Sequence, residues 1–504
     1  MRLLLPILLA SSTAALAQIG PSYERPDTAA PPKFKGVTWR AATPSAHLSK
    51  GQWWTVFRDS RLNSLMAMAT ANNQQVKAAI ARFDQARAAA RMSRGDFYPS
   101  LSLPLTAETQ RTSENMPSPF PLNGLHYLGP AFNAPLDFSW EIDLWGKLRR
   151  AAEGTRADAA ASADAMHNVL LGIQADVATN YFRLRTLDNE MHIVRSAVGL
   201  RGEALKIASA RVKAGAGSDL EQAQAETEIA SAEAEISALQ AQRDQLENVL
   251  AILLGTSASN FRVSVSDGGI PGPPSVPAGV PSDLLERRPD ISQAERMLHA
   301  ATARIGVAKA QFFPSVKLLG RGGFQSGDID VLFEPSSLMW SLGPSINVPL
   351  FSGNKNRWNL TKFKAAHDEA LANYRQAFIA ALADVETSLS SIRNLGTQAA
   401  TQGRARDSAE KAAQLARTRF EAGTSPYLDY IDANRTTLTM QRASAQIAGQ
   451  RLVATVSLIK ALGGGWDQRM PNVVPVTTPD PAARNLDQDK PGIFGKVKGW
   501  FTRN

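Results

Sequence analysis

The most restrictive feature of this 504-residue chain is a seven-residue repeat of apolar side chains within a long stretch that lacks proline. No proline occurs between Gly146 and Pro271, and apolar residues stand at every seventh position: Leu170, Val177, Leu184, Met191, Val198, Leu205 and Val212. A heptad repeat of this length is typical of helices packed as a left-handed coiled coil. We therefore predict a helix over 146–213, about 100 Å long at ~1.5 Å per residue. A second helix over 218–254 follows the small residues of 214–217.

A different period precedes each long helix. From Phe132 to Leu144 apolar residues alternate with polar or small ones, which places Asp137, Glu141 and Asp143 on one face and the aromatic side chains on the other. A period of two predicts a strand, and its length exceeds the ~5–6 residues of ordinary strands, which favours a membrane barrel. A soluble sheet with one wet face fits the same alternation. The predicted strands cover about 99–111, 131–144, 313–326 and 337–351.

The chain contains two copies of one pattern. Arg211–Gly215 aligns with Arg419–Gly423 at an offset of 419 − 211 = 208, and Phe97–Pro99 aligns with Phe312–Pro314 at an offset of 312 − 97 = 215. Each copy reads as short helix, strand, loop, strand, long helix, turn and shorter helix. The internal repeat indicates that strands and helices belong to one duplicated architecture rather than to separate domains.

The N-terminus predicts export from the cytoplasm. Arg2 precedes an apolar run that is too short to span a bilayer, and Ala15-Leu16-Ala17 is a typical cleavage site, so we expect a signal peptide over 1–17 and a mature, non-lipidated chain starting near Gln18. After the signal peptide we expect an extended N-terminal segment over 18–60 and a first repeat over 61–255, which opens with a helix over 62–94. A connector over 256–288 leads to a second repeat over 289–463, with helices over 354–421 and 426–462. A C-terminal segment with a flexible tail covers 464–504.

Strand number constrains the assembly. Four strands cannot close a membrane barrel, because the smallest single-chain barrels have about eight. An open sheet edge in lipid would leave backbone groups without hydrogen-bond partners. We therefore expect the chain to oligomerise, and three copies would supply 4 × 3 = 12 strands. The long helices would continue from such a barrel as a hollow or bundled coiled coil.

Composition excludes several other classes of protein. The absence of cysteine excludes disulfide scaffolds, thiol nucleophiles and cysteine-based metal sites. The six histidines are far apart, and no nucleophile–base pair, metal cluster or phosphate loop is visible, so we predict no catalytic residue, no metal and no cofactor. The net charge of +9 is spread over the chain without a dense Lys/Arg run, which argues against nucleic acid as a partner.

Four motifs, in order along the chain, resemble those of the TolC/OprM family of outer-membrane efflux channels, specifically its NodT-like branch of RND efflux outer-membrane factors. They are Gly20–Pro26 (GPSYERP), Trp53–Phe57 (WWTVF), Asp283–Ile291 (DLLERRPDI) and Leu458–Trp466 (LIKALGGGW). The resemblance covers roughly residues 20–466. One departure is that many relatives carry a lipidated cysteine after the signal peptide, whereas this chain has none.

The resemblance implies an α+β membrane protein with a trimeric 12-stranded transmembrane β-barrel, four strands per chain, continued by a long periplasmic α-helical barrel and an equatorial collar. It implies a passive exit duct of a tripartite efflux pump for small molecules such as drugs. The implied partners are two further copies of the chain, a periplasmic adaptor, an inner-membrane RND-type transporter and outer-membrane lipid. The implied location is the cell outer membrane, with an extension into the periplasm.

The resemblance also implies a periplasmic gate. The family closes its periplasmic end with acidic residues just after the second hairpin turn, and Asp429 and Asp432 occupy the matching positions. Glu221 is the corresponding acid of the first hairpin, and Phe420 stands where relatives often have a tyrosine. From the residues alone, Asp429 and Asp432 share a helix face, and in a trimer they would form carboxylate rings that favour cations. An alternative is that acids near a helix start only complement its dipole.

The turns between the paired helices are expected to meet the adaptor. The glycine-containing tips implied by the resemblance are Gly215 and Gly217 in the first hairpin, and Gly423 and Thr424 in the second. Two other functions remain open from the sequence. The chain could be the outer-membrane component of a type I protein secretion system, or a periplasmic coiled-coil scaffold. A scaffold would explain the long helices but would not require aromatic strands of lipid-spanning length.

Overall fold

The computed structural model describes residues 18–27, 34, 51–111, 113, 128–215, 217–265, 269–274, 276 and 288–464. The helices are α1 (Ser60–Asn72), α2 (Gln74–Gly95), α3 (Lys147–Lys213), α4 (Asp219–Leu253), α5 (Pro289–Ala310), α6 (Lys355–Glu421) and α7 (Tyr427–Ala461). The strands are β1 (Ser100–Ser102), β2 (Thr106–Arg111), β3 (Leu128–Ile142), β4 (Ser315–Ser326) and β5 (Leu338–Asn347). Among the described residues, no helix has the length and apolar character needed to cross a membrane. The predicted signal peptide and C-terminal tail lie outside the described residues.

The two repeats have helices of identical length. α3 and α6 contain 67 residues each, α4 and α7 contain 35 each, and α2 and α5 contain 22 each. The first residues of α3 and α6, Lys147 and Lys355, are 355 − 147 = 208 positions apart, and the last residues of α4 and α7 have the same separation, 461 − 253 = 208. This is the offset found between the two turn sequences, so the duplication extends through the whole of both hairpins.

The helices form one layer of four columns. α3 packs against α2 and α4 on one side and against α5 and α7 on the other, and α6 packs against α5 and α7. The shorter helices therefore lie end to end, α2 with α4 and α5 with α7, and the columns follow the order α2/α4, α3, α5/α7, α6. Along α3 the heptad positions Val177, Leu184 and Met191 are fully buried, whereas Val198, Leu205 and Val212 nearer the tip are half-buried.

Asn73 holds the junction between α2 and α4. Its Nδ2 donates a hydrogen bond of 2.7 Å to the carbonyl oxygen of Leu253, at the end of α4. Its Oδ1 accepts from the backbone N–H groups of Gln75 and Val76, the free donors at the start of α2. Because Asn73 caps α2 with a non-helical backbone, the predicted single helix over 62–94 was wrong, and the chain breaks into α1 and α2 at this residue.

Arg288 holds the equivalent junction between α5 and α7. Its Nη1 donates 3.1 Å to the carbonyl oxygen of Ala461, at the end of α7. Its guanidinium also pairs with Asp290 at 2.6 Å and with Asp384 of α6 at 3.0 Å. These contacts give Arg288 and Asp290 of the DLLERRPDI motif a structural role. Burial lowers the pKa of Arg288, but hydrogen bonds to the two aspartates outweigh it, so the net pKa is raised.

The strands form one antiparallel sheet. β3 pairs with β4 and β4 with β5, while β1 and β2 follow one another along the free edge of β3. Ser102 opposes Asp137 and Thr106 opposes Asn133, so the register is unchanged across the gap between β1 and β2. Pro104 lies in that gap, and its missing backbone N–H explains why the predicted strand over 99–111 appears as two segments.

The charged face of β3 is matched by the neighbouring elements. Asp137 pairs with Arg321 of β4 at 3.1 Å, and Glu141 pairs with Lys147 of α3 at 2.8 Å. Asp143, which the alternation assigned to the strand, lies beyond the end of β3. Its carboxylate accepts from the backbone N–H groups at the start of α3, so it caps the long helix.

The elements before α2 cover one face of the helical layer. Trp53 Nε1 donates to Gln174 Oε1 of α3 at 3.2 Å, and Tyr181 of α3 donates through its hydroxyl to Asp59 at 2.7 Å. Trp53, Trp54 and α1 pack there in the largest apolar cluster of the described residues. We name this side of α3, marked by Gln174 and Tyr181, the covered face.

The junction bond predicts a specific loss of stability. Asn73→Ala should lower the apparent melting temperature in detergent, because it removes the cap of α2 and leaves the carbonyl of Leu253 without its donor. The expected loss is about 1–3 kcal/mol. Gln75→Ala, an exposed position in the first turn of the same helix, is the control and should leave melting unchanged. Equal melting of both variants, followed by circular dichroism, would contradict this role of Asn73.

Candidate functional site: the hairpin tips

Two glycine turns connect the long helices to their return helices. Gly215 and Gly423 have φ values of +67° and +70°, in the left-handed region that favours glycine after a helix. At Gly217 a Cβ atom would lie 2.8 Å from the backbone nitrogen of Val212, so this turn excludes any larger residue. The Thr424 hydroxyl donates to the carbonyl oxygen of Arg419 at 3.1 Å, which satisfies a carbonyl at the end of α6. The four predicted tip residues therefore lie in the two turns.

An aromatic cluster closes the second hairpin. Phe420 is buried and stacks on Tyr430 with ring centroids 5.5 Å apart, and it meets Tyr427 at 5.3 Å. The Arg211 guanidinium of the first hairpin lies 5.6 Å from the Phe420 ring centroid. Burial, reinforced by Tyr430 and Glu228, raises the pKa of Tyr427 to about 12. Phe420, predicted from the family as a gate position, thus lies in the interior of one protomer rather than on its surface.

Asp429 and Asp432 lie exposed in the first two turns of α7. Asp429 accepts a 2.6 Å hydrogen bond from the Ser425 hydroxyl, and Asp432 lies 3.5 Å from Arg435 on the next turn. The intervening Tyr430 is buried, so the two carboxylates occupy the side of α7 that turns away from the protomer core. This placement agrees with the shared helix face predicted from their spacing.

Leu428 belongs to the same exposed surface, and the sequence reasoning missed it. Its side chain is 52% exposed although it lies between buried Tyr427 and the core residue Tyr430. Leu428 precedes Asp432 by four residues and therefore lies directly beside it on the helix surface. The available signal in the sequence was a leucine one position after Tyr427 and four positions before Asp432, at the start of a predicted helix.

Glu221 lies in the first turn of α4, after its cap Ser218, and is half-buried. It is near enough to the aromatic cluster to contribute, as a minor cause, to the raised pKa of Tyr427. Glu221 therefore lies beside the second hairpin, near its aromatic cluster. Asp429 and Asp432 thus share the exposed side of α7, whereas Glu221 lies half-buried on α4 of the other hairpin.

A buried carboxylate joins the two hairpins behind the exposed acids. Glu228 of α4 is only 7% exposed and pairs with Arg201 of α3 at 3.1 Å and with Arg435 of α7. The hydrogen bond to Glu228 raises the pKa of Arg435. Neither the gate prediction nor the motifs pointed to Glu228, because its partners are 27 and 207 residues away in sequence.

The same contact recurs one heptad further from the tip. Arg442 of α7 pairs with Glu235 of α4 and, at 3.4 Å, with buried Glu190 of α3. Both members of this pair follow Glu228 and Arg435 by seven residues, so the two ion pairs lie along the same seam. Within the described parts of the chain, no cluster of His, Asp and Glu side chains could hold a metal ion.

Comparison with known proteins agrees with this architecture. A family model described as outer membrane efflux protein matches residues 65–256 and 280–464. The chain belongs to the outer membrane efflux protein family. It is 29% identical to the outer membrane protein OprJ of Pseudomonas aeruginosa over 463 residues, 92% of this chain and 95% of OprJ. It is 29% identical to the cation efflux system protein CusC of Escherichia coli O6:H1 over 465 residues, 92% of this chain and 99% of CusC.

A solved structure supports the same assignment. The outer-membrane channel OprN matches this efflux channel with a TM-score of 0.81 and 30% identity, over 89% of this chain and 100% of that one. The protein is thus an outer-membrane channel of a tripartite efflux system that extends into the periplasm, and it works with an adaptor and an inner-membrane pump. The fold is that of the trimeric channels with a helical barrel. Members of the family are channel proteins rather than enzymes.

We predict that the raised pKa of Tyr427 at the tip makes the folded protein less stable at high pH. The pKa of Tyr427 is about 12 in the folded protein and about 10 in an unfolded chain, so above pH ~10 only the unfolded state loses this proton. The free energy of unfolding should therefore fall as pH rises through this window. In the Tyr427→Phe variant this free energy should fall by less over the same pH range. The measurement compares melting temperatures at about pH 8 and pH 11.5, within the tyrosine titration range.

Tyr98→Phe is the matched control, because Tyr98 is 74% exposed. It should show the same pH-dependent fall as the wild type. An equal fall in all three proteins would show that the Tyr427 hydroxyl does not couple proton binding to folding.

Proposed function

We propose that Asp429, Asp432 and Leu428 narrow the periplasmic entrance of the channel. The observation that carries this proposal is that all three are exposed on the first turns of α7 while Tyr427 and Tyr430 on its other side are buried. In a homotrimer, three copies of this surface would surround the axis. The leucines would then form an apolar constriction and the aspartates two rings of negative charge, which favour cations.

Phe420 and Glu221 would support this entrance from within the protomer. The Phe420 ring packs against the rings of Tyr427 and Tyr430 on α7, so it would set the position of the helix that bears the acids. Glu228 ties α4 to α3 and α7, so movement of the second hairpin would have to break buried ion pairs. Breaking a buried pair is costly, which would favour the closed arrangement.

The turns at Gly215, Gly217, Gly423 and Thr424 would form the surface that meets the adaptor. They are the ends of both hairpins, and their exposed backbone can approach a partner closely because glycine has no side chain. Along the chain we propose the division given by the sequence, with a signal peptide over 1–17 and a non-lipidated mature chain from Gln18.

The transported compounds would be small molecules, with no catalytic step in the channel. CusC is named for cation efflux, and that cargo is not carried over to this chain, because related channels share the fold while serving different pumps. Export of proteins in a type I system is the second candidate. Protein export would require the same duct. The transporter that copurifies with the channel distinguishes protein export from small-molecule efflux.

Replacing both gate acids tests the proposed entrance. Asp429→Ala with Asp432→Ala removes charge, which lowers cation attraction, and removes side-chain bulk, which widens the aperture. We expect widening to dominate, because aperture size decides whether an ion passes at all. Single-channel conductance in planar bilayers should rise, cation selectivity should fall, and cells should admit bulky antibiotics that are normally excluded.

The control is the double variant Asp84→Ala with Asp96→Ala, which removes one carboxylate from α2 and one directly after its last residue, far from the tips. It should conduct like the wild type. If the gate variant also retained wild-type conductance, selectivity and antibiotic exclusion, Asp429 and Asp432 would be ordinary acids that complement a helix start.

The assembly can be tested independently of the gate. Each protomer offers the two free sheet edges of β1/β2 and β5, which must be paired in lipid. Chemical crosslinking in detergent should therefore end at three copies, with circular dichroism dominated by helix. Recovery of a stable monomer in buffer without detergent would contradict the barrel.

A further inference from the structure

A groove of about 930 Å³ runs along the helical layer between the tips and the helix junctions. Residues from all four long and return helices, α3, α4, α6 and α7, line it. Arg183 of α3 lies in this groove, two residues after Tyr181 of the covered face. Two residues turn a helix by about 200°, so Arg183 points to the opposite side of the layer from α1. The groove is therefore on the face of the helical layer opposite α1.

The groove combines amide and apolar side chains. Its amides come from α3, α4 and α7, and its apolar residues come from all four helices. Amides can donate and accept hydrogen bonds without carrying charge, and the aliphatic side chains offer contact area to an apolar molecule. The main lining residues of these two kinds are Gln242, Gln446, Gln450, Leu187, Leu246 and Val249.

Arg183 is the single charged residue among those that line the groove. Its side chain is exposed, and no described carboxylate lies within ion-pair distance of it. The arginines nearer the tip differ, because Arg201, Arg435 and Arg442 are all paired with glutamates. The charge of Arg183 is thus not neutralised by an ion pair within the described part of the chain. A cation in a concave site with amide and aliphatic walls attracts anions that also carry apolar groups.

We propose that the groove is a binding site for amphiphilic organic anions, molecules with an apolar body and one carboxylate or sulfonate group. Arg183 binds the acidic group, the glutamines bind its remaining oxygens, and Leu187, Leu246 and Val249 contact the apolar body. A trimer holds three such sites. The proposal rests on the proposed function in one respect, namely that cargo passes along this face of the helices.

The site is electrically separate from the entrance. Gln450, which lines the groove, follows Asp432 by 18 residues on α7, about 27 Å at ~1.5 Å per residue. The screening length is ~8 Å at physiological ionic strength, so the aspartates do not cancel the field of Arg183. Cargo would therefore meet an acidic entrance first and a basic wall further along the duct.

Block of single-channel conductance by a matched pair of probes tests the site. The probes are 8-anilinonaphthalene-1-sulfonate and N-phenyl-1-naphthylamine, which share the same rings and differ by the sulfonate. We expect the sulfonate to block the wild-type trimer at lower concentration than the amine. Arg183→Gln should weaken block by the sulfonate about tenfold, or ~1.4 kcal/mol, and leave block by the amine unchanged. Arg183→Lys should retain most of the sulfonate block, and Arg183→Glu should abolish it.

Arg61→Gln is the matched control, because Arg61 is an exposed arginine of α1 on the covered face. It should be blocked like the wild type. Equal sulfonate block of the wild type, Arg183→Gln and Arg183→Glu would overturn the binding site and leave the channel function standing. A wild-type protein that conducts no ions would overturn the channel function, and the site with it.

The absence of cysteine allows a direct test of where position 183 lies. Arg183→Cys introduces a single thiol, and a water-soluble, negatively charged methanethiosulfonate reagent should modify it in the open pore and change the conductance. Arg61→Cys should react without any change in conductance. Failure of the reagent to alter conductance at position 183, with mass spectrometry showing full modification, would place this residue outside the conducting path and refute the proposal.

Discussion

The arrangement of the helices in columns depends on one constraint: the backbone N–H and C=O groups at two helix junctions must find hydrogen-bond partners. Each repeat pairs one 67-residue helix with helices of 35 and 22 residues, so the shorter two must lie end to end to follow the long one. Stacked ends bring unpaired carbonyls against unpaired N–H groups in a buried place, where each orphan is costly. Asn73 meets this requirement at one junction by donating to Leu253 and accepting from the start of α2. Arg288 and Asp290 meet it together at the other.

The two repeats have the same helix geometry, but different side chains form the contacts at their equivalent junctions and tips. Leu253 and Ala461 are equivalent helix ends, yet a neutral amide binds one and a guanidinium binds the other. The tips diverge in the same way, because the aromatic cluster forms around Phe420 in the second hairpin while the first contributes Arg211 to its edge. Equal helix lengths give the two hairpins the same reach, whereas the side chains at their tips differ.

Charge is distributed unevenly along the helical layer. Near the tip the buried carboxylates Glu228 and Glu190 are matched by arginines from neighbouring helices, so the seam between the hairpins is close to neutral. The exposed carboxylates of Asp429 and Asp432 lie nearer the tip than that seam, and Asp432 is 3.5 Å from Arg435. Arg183 lies further along the wall among uncharged residues. Along a passive duct, such local fields act on charged cargo.

Much of the fold could be predicted from local pattern. The long helices were predicted over 146–213 and 354–421 and are found at Lys147–Lys213 and Lys355–Glu421, because an uninterrupted apolar period and a glycine turn are both encoded locally. The strands themselves followed from alternation, but the end of β3 did not, since Asp143 alternates like a strand residue and yet caps α3. The break at Asn73 was missed for a similar reason, because an asparagine within a helical pattern reveals its capping role only when Leu253 is beside it.

The sequence by itself determined the periods and the position of the acids that follow the second turn, since each depends on residues within one or two helical turns of each other. It also determined the duplication, because the same residue types recur at similar offsets along the chain. Only the tertiary structure decided which charges are neutralised. Glu228 finds Arg201 and Arg435 across 27 and 207 residues, whereas Arg183 meets no carboxylate among the described residues and lines a groove built from four helices. Electrostatic energy depends on distance in space and on burial, and neither quantity can be read from spacing along the chain.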